Sequence, residues 1–107
     1  MIFAVSPRLA AARDVEETVD YYAMEASEKI ADRFVDALSK AYDRLSRTPE
    51  AGSPLLGATL GLNGLRTWPI AGFPYLICYQ ARDGVIDIWR VLHAQRDLGK
   101  ALSASTH

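Results

Sequence analysis

The hydrophobic pattern of this chain changes once, at Thr48-Pro49, and that change constrains the fold more than any other feature. Before it, apolar residues recur at the three- and four-residue spacing of an amphipathic helix. The clearest set is Ile30, Phe34, Ala37, Leu38, Ala41 and Leu45. A residue that precedes proline is disfavoured in the helical region, so this helix should end at Thr48. After it, short apolar runs separated by turn residues predict strands.

Two helices are predicted in the first half, joined near Met24-Glu25-Ala26, with a short strand over Ile2-Val5 before them. Ser27 can cap the second helix. Ser6 can cap the first helix, with Pro7 at its first helical position. The apolar face predicted for the first helix consists of Ala12, Val15, Val19, Tyr22 and Ala23, with Arg13, Asp14, Glu17 and Asp20 lying off it. The two helices should form an antiparallel hairpin.

The second half predicts a small sheet. From Glu50 to Gly64, glycine and proline are frequent, and we expect a loop with little regular structure. Strands are predicted over residues 65–70, 73–80 and 85–92, with Asp83-Gly84 as a hairpin turn and Pro69 as a sign of a sheet edge. The predicted fold class is therefore α+β, a two-helix antiparallel hairpin packed on a small, twisted, mainly antiparallel sheet. We expect one domain over residues 1–107, with a flexible tail from about residue 98.

The charge balance limits the class of partner. Twelve Lys and Arg residues oppose thirteen Asp and Glu residues, and the formal net charge of -1 argues against a protein that holds nucleic acid through general basicity. Residues 1–50 carry seven basic and ten acidic side chains, whereas residues 51–107 carry five and three. We therefore expect a surface that binds carboxylates to lie on the sheet half.

Cofactors and targeting segments are not expected. Cys78 is the only cysteine, so no internal disulfide can form, and its place in an apolar run predicts a buried side chain. The spacing of His, Asp and Glu indicates no metal site, and no glycine pattern indicates a phosphate loop. The apolar runs are too short for a signal peptide or a membrane span, which predicts a cytoplasmic protein without a membrane partner.

His93 is the one histidine inside the predicted fold, directly after the last strand. Histidine suits a general base at neutral pH, and in a meander Arg66, Arg90 and Arg96 could converge near it as a phosphate clamp of the kind that RNA cleavage needs. The alternative is that His93 and Asp97 cap the strand end, while the arginines pair with acids or with a partner.

Three motifs follow one another in the second half: Leu65-Arg66, the run FPYLICY from Phe73 to Tyr79, and the run RVLHAQRD from Arg90 to Asp97. Accompanying segments in the first half are Ala12-Arg13-Asp14-Val15, Tyr21-Tyr22, Ile30-Ala31-Asp32-Arg33-Phe34, and the exit Leu45, Pro49 and Gly52. Together, over about residues 2–98, they resemble the ParE branch of the RelE/ParE toxins. The resemblance implies a β-α-α-β-β-β fold and a type II toxin–antitoxin role. In that role a ParD-like antitoxin wraps the toxin with a flexible C-terminal segment and holds it inactive.

The resemblance leaves two targets open, because ParE relatives act on DNA gyrase and RelE relatives cut mRNA on the ribosome. RelE relatives use a cluster of Lys and Arg with a late Tyr or His. Here residues 51–65 contain no Lys, Arg or His, and Arg66, His93 and Arg96 are a small set for that chemistry. We therefore expect a gyrase inhibitor that is not an enzyme and does not bind specific DNA sequences by itself. The alternative is a RelE-like, metal-independent mRNA endoribonuclease that uses those three residues.

The antitoxin is expected to bind the sheet half as part of a hetero-oligomer. Acidic residues of its tail would meet Arg66, Arg90 and Arg96, in a groove between the helices and the sheet. Trp68 and Trp89 are candidate anchors, since tryptophan is enriched at interface hot spots. Core packing is the alternative for both, and it is favoured for Trp89, which lies in the middle of an apolar strand.

Overall fold

The computed structural model describes residues 1–98, so the predicted tail lies outside the described residues beyond Leu98. The elements in chain order are β1 (Ala4–Pro7), α1 (Leu9–Glu25), α2 (Glu28–Arg47), α3 (Leu55–Leu60), β2 (Leu65–Pro69), β3 (Tyr75–Arg82) and β4 (Val85–His93). The sheet order is β1-β4-β3-β2. β2, β3 and β4 form the predicted antiparallel meander, and β1 joins β4 in parallel. The α+β class is confirmed, with a mixed sheet.

The predicted cap and end of the second helix and the predicted turn of the last hairpin are confirmed. The Ser27 hydroxyl accepts a hydrogen bond from the Ile30 N–H at 3.1 Å, and α2 ends at Arg47, directly before Thr48-Pro49. Asp83 and Gly84 both have positive φ, at 53° and 75°, as a tight two-residue hairpin turn requires. Each of these features depends on residues that are close together in the sequence, which is why the sequence predicts them.

The predicted start of the first helix is wrong. Ser6 and Pro7 belong to β1, and α1 begins at Leu9 without a side-chain cap. The Arg8 N–H donates to the Ile88 carbonyl at 2.9 Å, so the bonding of β1 to β4 continues past Pro7. Because bonding alternates along a strand, Pro7 faces away from β4, where its missing N–H costs no ladder hydrogen bond.

The predicted loop between Glu50 and Gly64 is wrong over Leu55–Leu60, where the chain forms α3. Two of its glycines have roles other than breaking structure. Gly61 has φ of 71° and ends the helix in the left-handed conformation. Gly57 lies inside α3 and is buried against the chain that leads into β2. A Cβ there would lie 2.8 Å from the Leu62 carbonyl oxygen and closer still to that of Leu65.

Replacing Gly57 by alanine should therefore destabilise the protein, although alanine is the better helix former. Two backbone oxygens block the added methyl group, so α3 has to move away from β2, at a cost of about 1–3 kcal/mol. Urea unfolding followed by circular dichroism measures the difference. Gly61→Asn is the matched control, because no atom lies within 4 Å of that site and asparagine tolerates positive φ. Equal midpoints for the two variants would contradict this packing.

Each face of the sheet carries an apolar cluster. The larger one lies beneath α1 and α2, and the smaller one, Leu65, Cys78 and Leu92, lies on the opposite face with α3 packed against it. Cys78 is fully buried as predicted, and burial raises the pKa of its thiol to about 12. Trp89 packs against the smaller cluster, in agreement with the core role favoured for it. The buried members of the larger cluster are Ala11, Phe34, Leu38, Ala41, Leu45, Ile70, Tyr75, Ile77, Tyr79, Ile86, Ile88 and Val91.

Both edges of the sheet have few donors left for another strand. At β2, the predicted edge strand, the Leu65 N–H donates to the Leu62 carbonyl and Thr67 exchanges two hydrogen bonds with Ser53. Pro69, the remaining outward residue of β2, has no N–H. At β1, Pro7 likewise lacks a donor, which leaves Val5 as the one residue of that strand with an outward N–H. Prolines at edges in this way oppose strand addition.

No helix within residues 1–98 is both long enough and apolar enough to cross a bilayer.

Candidate functional site

Arg66 and Tyr79 lie opposite each other on β2 and β3, and together they hold the segment that follows α2. Arg66 Nη1 donates to the carbonyls of Gly52 at 2.8 Å and Glu50 at 3.2 Å. The Tyr79 hydroxyl donates to the Pro49 carbonyl and accepts from the Gly52 N–H, both at 2.8 Å. The Arg66 guanidinium is thus anchored on backbone carbonyls.

The register separates Arg66 from His93. Arg66 pairs with Tyr79, whereas His93 pairs with Tyr75, four residues away on β3. At about 3.3 Å per residue this is a separation of about 13 Å along the strand, and the two residues are also two strands apart. The strands pair as the predicted meander, but Arg66 does not join a cluster around His93.

His93 caps the end of β4 with its own ring. Its Nδ1 accepts hydrogen bonds from the N–H groups of Gln95 at 3.2 Å and Arg96 at 3.1 Å. These two hydrogen bonds occupy the Nδ1 lone pair. The ring also packs edge-on against Tyr75 with centroids 5.3 Å apart. A role as general base through Nδ1 would therefore require His93 to give up this cap.

Arg96 pairs with its neighbour Asp97 through two hydrogen bonds of 2.9 Å. These bonds raise the pKa of the Arg96 guanidinium and lower the pKa of the Asp97 carboxyl. The Asp97 N–H in turn donates to the His93 carbonyl at 3.2 Å, so residues 93–97 form one hydrogen-bonded turn. Asp97 thus caps the end of β4 together with His93, as in the alternative to a catalytic role for His93.

Arg90 is paired with Asp14 of α1. Arg90 Nε and Nη2 donate to the two carboxylate oxygens at 2.7 and 2.8 Å, and the Val91 N–H donates to Asp14 Oδ2 at 3.0 Å. The prediction that Asp14 lies off the inner face of the first helix is wrong. The buried face of α1 includes Ala11 and Thr18, which brings Asp14 inward between them, whereas Ala12 is exposed. The pair fastens α1 to β4, one of the two inner strands of the sheet.

A cleft of about 560 Å³ opens between α1 and the end of β4. Arg90 and Arg96 both line it, and each is neutralised by a carboxylate that lines it too, Asp14 and Asp97 respectively. Tyr21 and Glu17 complete its outer wall. An anion entering this cleft would meet arginines whose charge is already balanced by these carboxylates.

A second opening runs along α2, and we call it the α2 groove. It consists of two adjoining cavities of about 530 and 480 Å³ that share Arg33, Ala37 and Ala71. Trp68 and Phe73 form the sheet-side wall. The Arg44 guanidinium lies over the Trp68 ring, 5.6 Å from its centroid. Asp36, Lys40 and Ala41 also line the groove.

The cations of the α2 groove differ from those of the sheet half. Arg33, Lys40 and Arg44 form no ion pair with any carboxylate of residues 1–98. The expectation that a carboxylate-binding surface lies on the sheet half stays a prediction. Arg90 and Arg96 are neutralised and Arg66 is anchored, while unpaired cations line a groove on α2. A charge sum over half of the chain cannot reveal this, because it counts paired and unpaired groups alike.

Arg8 is a further anchored cation that sequence reasoning missed. It pairs with Asp87 through hydrogen bonds of 3.0 and 2.8 Å, and its guanidinium lies 4.6 Å from the centroid of the Trp89 ring. The hydrogen bonds from Arg8 lower the pKa of Asp87. The indole Nε1 of Trp89 is buried without a hydrogen-bond partner among the described residues. Arg8 reaches this position because β1 pairs with β4 in parallel, which no local signal predicts.

No cluster of three potential metal ligands of the His, Cys, Asp or Glu type occurs in the part of the chain that the structure describes.

Comparison with protein families gives one match that covers most of the chain. The family model described as "ParE toxin of type II toxin-antitoxin system, parDE" matches residues 5–98. The chain belongs to the ParE toxin family. The predicted resemblance is confirmed, and with it the general role of a toxin of a type II system. No curated protein matches the chain.

A solved structure agrees with the ParE fold. It is described as "Chromosomal ParDE TA system from P. aeruginosa", and it superposes with a TM-score of 0.73 over 88% of this chain and 98% of that chain. The sequences are 19% identical. At that identity the likeness establishes the fold of this ParE family member, and the roles of its individual residues have to be argued from their contacts.

Proposed function

We propose that this ParE family member inhibits DNA gyrase by binding it, without catalysing a reaction, and that a ParD-like antitoxin neutralises it in the cytoplasm. Membership of the ParE family supports the proposal. The observation that carries the non-catalytic part is the hydrogen bonding of His93, whose Nδ1 is occupied by two backbone N–H groups.

RNA cleavage without a metal needs a base, an acid and unpaired cations around one phosphate. Arg66, His93 and Arg96, the three residues that the RNase alternative would use, do not form such a group here. Arg66, on β2, is hydrogen-bonded to the Gly52 carbonyl and lies away from His93, and Arg96 is paired with Asp97. Binding a protein target requires no such assembly, so the structure favours the gyrase hypothesis over the RNase alternative.

The antitoxin contacts predicted at Arg66, Trp68, Arg90 and Arg96 remain a prediction. Of the four residues, Trp68 is the one that lies in an opening with unpaired cations beside it. The three arginines are already hydrogen-bonded within the toxin, and a carboxylate of the partner would have to compete with Asp14, Asp97 or backbone carbonyls.

The purified protein should block DNA supercoiling by gyrase and leave ribosome-bound mRNA intact. Supercoiling on relaxed plasmid and primer extension on translating ribosomes measure the two activities in parallel. His93→Ala, checked for folding by circular dichroism, should retain inhibition of supercoiling. Cleaved message with unaffected supercoiling, abolished by His93→Ala, would instead establish the endoribonuclease.

A further inference from the structure

We infer that the cleft between α1 and β4 binds an arginine side chain of the protein that the toxin inhibits, with the guanidinium held between the Glu17 carboxylate and the Tyr21 ring. This inference rests on the proposed function, inhibition of gyrase by binding, and it assigns the part of the toxin surface that makes the contact. Four observations support it: the balance of charges in the cleft, the carboxylate and aromatic ring side by side on its wall, its dimensions, and the charge of α1.

Glu17 is the one charged side chain of the cleft lining that has no counter-charge within residues 1–98. Asp14 is paired with Arg90 and Asp97 with Arg96, so these four groups together leave no net charge. The lining as a whole therefore carries one negative charge, which lies on the α1 wall. A cation that enters the cleft gains a partner there, whereas an anion meets an unbalanced carboxylate.

Tyr21 places an aromatic ring beside this carboxylate. It follows Glu17 by four residues, so the two side chains are neighbours on one side of α1, and both line the cleft. Tyr21 is 53% exposed, and its ring packs edge-on against that of Tyr22 with centroids 5.5 Å apart. A guanidinium can stack on such a ring while it donates two parallel hydrogen bonds to a carboxylate, which an ammonium group cannot match. The pair therefore selects arginine over lysine.

The dimensions of the cleft suit a single anchoring residue. Its α1 wall extends from Asp14 to Tyr21, which at about 1.5 Å per residue is about 10 Å. An extended chain covers that length with about three residues. Tyr75 and Val91 also line the cleft and offer largely apolar surface to the methylene groups of an arginine side chain. The cleft thus accepts one long side chain and its immediate neighbours.

The exposed side of α1 adds a general attraction for a basic partner. Among residues 1–98, α1 carries one cation without an ion pair, Arg13, and four such acids, which are Glu16, Glu17, Asp20 and Glu25. Proteins that act on DNA present arginine and lysine side chains to its phosphates. A target such as gyrase therefore offers the basic groups that this surface and the cleft attract.

The first test compares Glu17→Lys with Glu16→Lys, the same change at adjacent exposed positions of α1, of which Glu17 lines the cleft and Glu16 does not. Binding to immobilised gyrase holoenzyme is measured by biolayer interferometry, and inhibition of supercoiling is measured on the same preparations. Glu17→Lys should weaken binding by about tenfold or more, because the new cation repels the arginine, and Glu16→Lys should change it by less than about threefold. Tyr21→Leu should weaken binding about fivefold by removing the stacking surface, whereas Tyr21→Phe should retain it.

The second test does not depend on gyrase. Blocked tripeptides with a central arginine, lysine or glutamate between two glycines are titrated into the whole nitrogen-15-labelled protein, and amide resonances are followed by NMR. The arginine peptide should shift the resonances of residues 14–21 and 90–97, and Glu17→Lys should abolish these shifts. The lysine peptide should bind more weakly by about threefold or more, and the glutamate peptide should cause no shift there.

Three outcomes overturn the inference: no shifts with the arginine peptide, binding of the lysine or glutamate peptide as tight as that of the arginine peptide, and equal loss of gyrase binding in the Glu17 and Glu16 variants. The two tests also separate the inference from the proposed function. Cleft-specific binding of the arginine peptide by a protein that does not bind gyrase would refute gyrase as the target. Inhibition of gyrase that Glu17→Lys leaves unchanged would refute the cleft as the contact.

Discussion

Replacing Phe34 by alanine should lower the free energy of unfolding by about 3–5 kcal/mol, the largest effect expected from a single change in this protein. Phe34 is 0% exposed, and its ring contacts those of Tyr22, Phe73 and Tyr75 at centroid distances of 5.2–5.8 Å. The substitution leaves a cavity between α2 and the sheet and removes three edge-on or tilted aromatic contacts. Since a domain of this size has a total stability of about 5–15 kcal/mol, this loss is a large fraction of the total.

The control for Phe34 is its neighbour Val35, which is 44% exposed. Val35→Ala removes apolar atoms from the same turn of α2 without opening the core, and its effect should stay within about 0.5 kcal/mol. Chemical unfolding followed by fluorescence and by circular dichroism compares the variants. Similar midpoints for the two would show that α2 does not pack on the sheet through Phe34.

Replacing Asp14 by alanine should cost about 2–4 kcal/mol, the second largest effect. The Asp14 and Arg90 side chains are only 12% and 28% exposed, so the change leaves a largely buried guanidinium without its counter-charge. It also removes the acceptor of the Val91 N–H in β4. Asp14→Asn keeps one acceptor oxygen but not the charge, and should fall between alanine and wild type.

Glu17 provides the comparison for Asp14, since it is an exposed acid on the next turn of α1 and pairs with no cation of residues 1–98. Glu17→Ala should change the stability by less than about 0.5 kcal/mol. A double-mutant cycle that combines Asp14→Ala with Arg90→Met isolates the pair itself. A coupling energy near zero would show that the pair does not fasten α1 to β4.

The parts of the fold that the sequence predicts are those fixed by neighbouring residues. The end of α2 follows from Thr48-Pro49, its start from Ser27, and the last hairpin from Asp83-Gly84. The features that it does not predict depend on contacts across the chain. α3 packs on the sheet because two of its leucines, Leu56 and Leu60, contact the cluster of Leu65, Cys78 and Leu92. Gly57 resembles a helix breaker until the carbonyls packed against it are known.

The candidate site shows the same division. The candidate residues predicted from the sequence are cations, a histidine and two tryptophans, but sequence alone does not reveal which cations are already paired. Arg90 meets an acid 76 residues away, and Arg8 meets one 79 residues away. The row Arg33, Lys40 and Arg44 is visible as a helical spacing, yet its importance depends on Trp68 lying beside it, which only the packing of β2 against α2 establishes.

The position of β4 in the sheet has a consequence for folding during synthesis. β4 lies between β1 and β3, so the first strand has no partner until the last one has been synthesised; Ala4, for example, pairs with Val85. The helical hairpin can form early from local contacts. The ion pair of Asp14 with Arg90 and the pairing of the sheet both require β4, which is synthesised later. A chain that stops before Val85 therefore lacks an inner strand of the sheet and cannot adopt this fold.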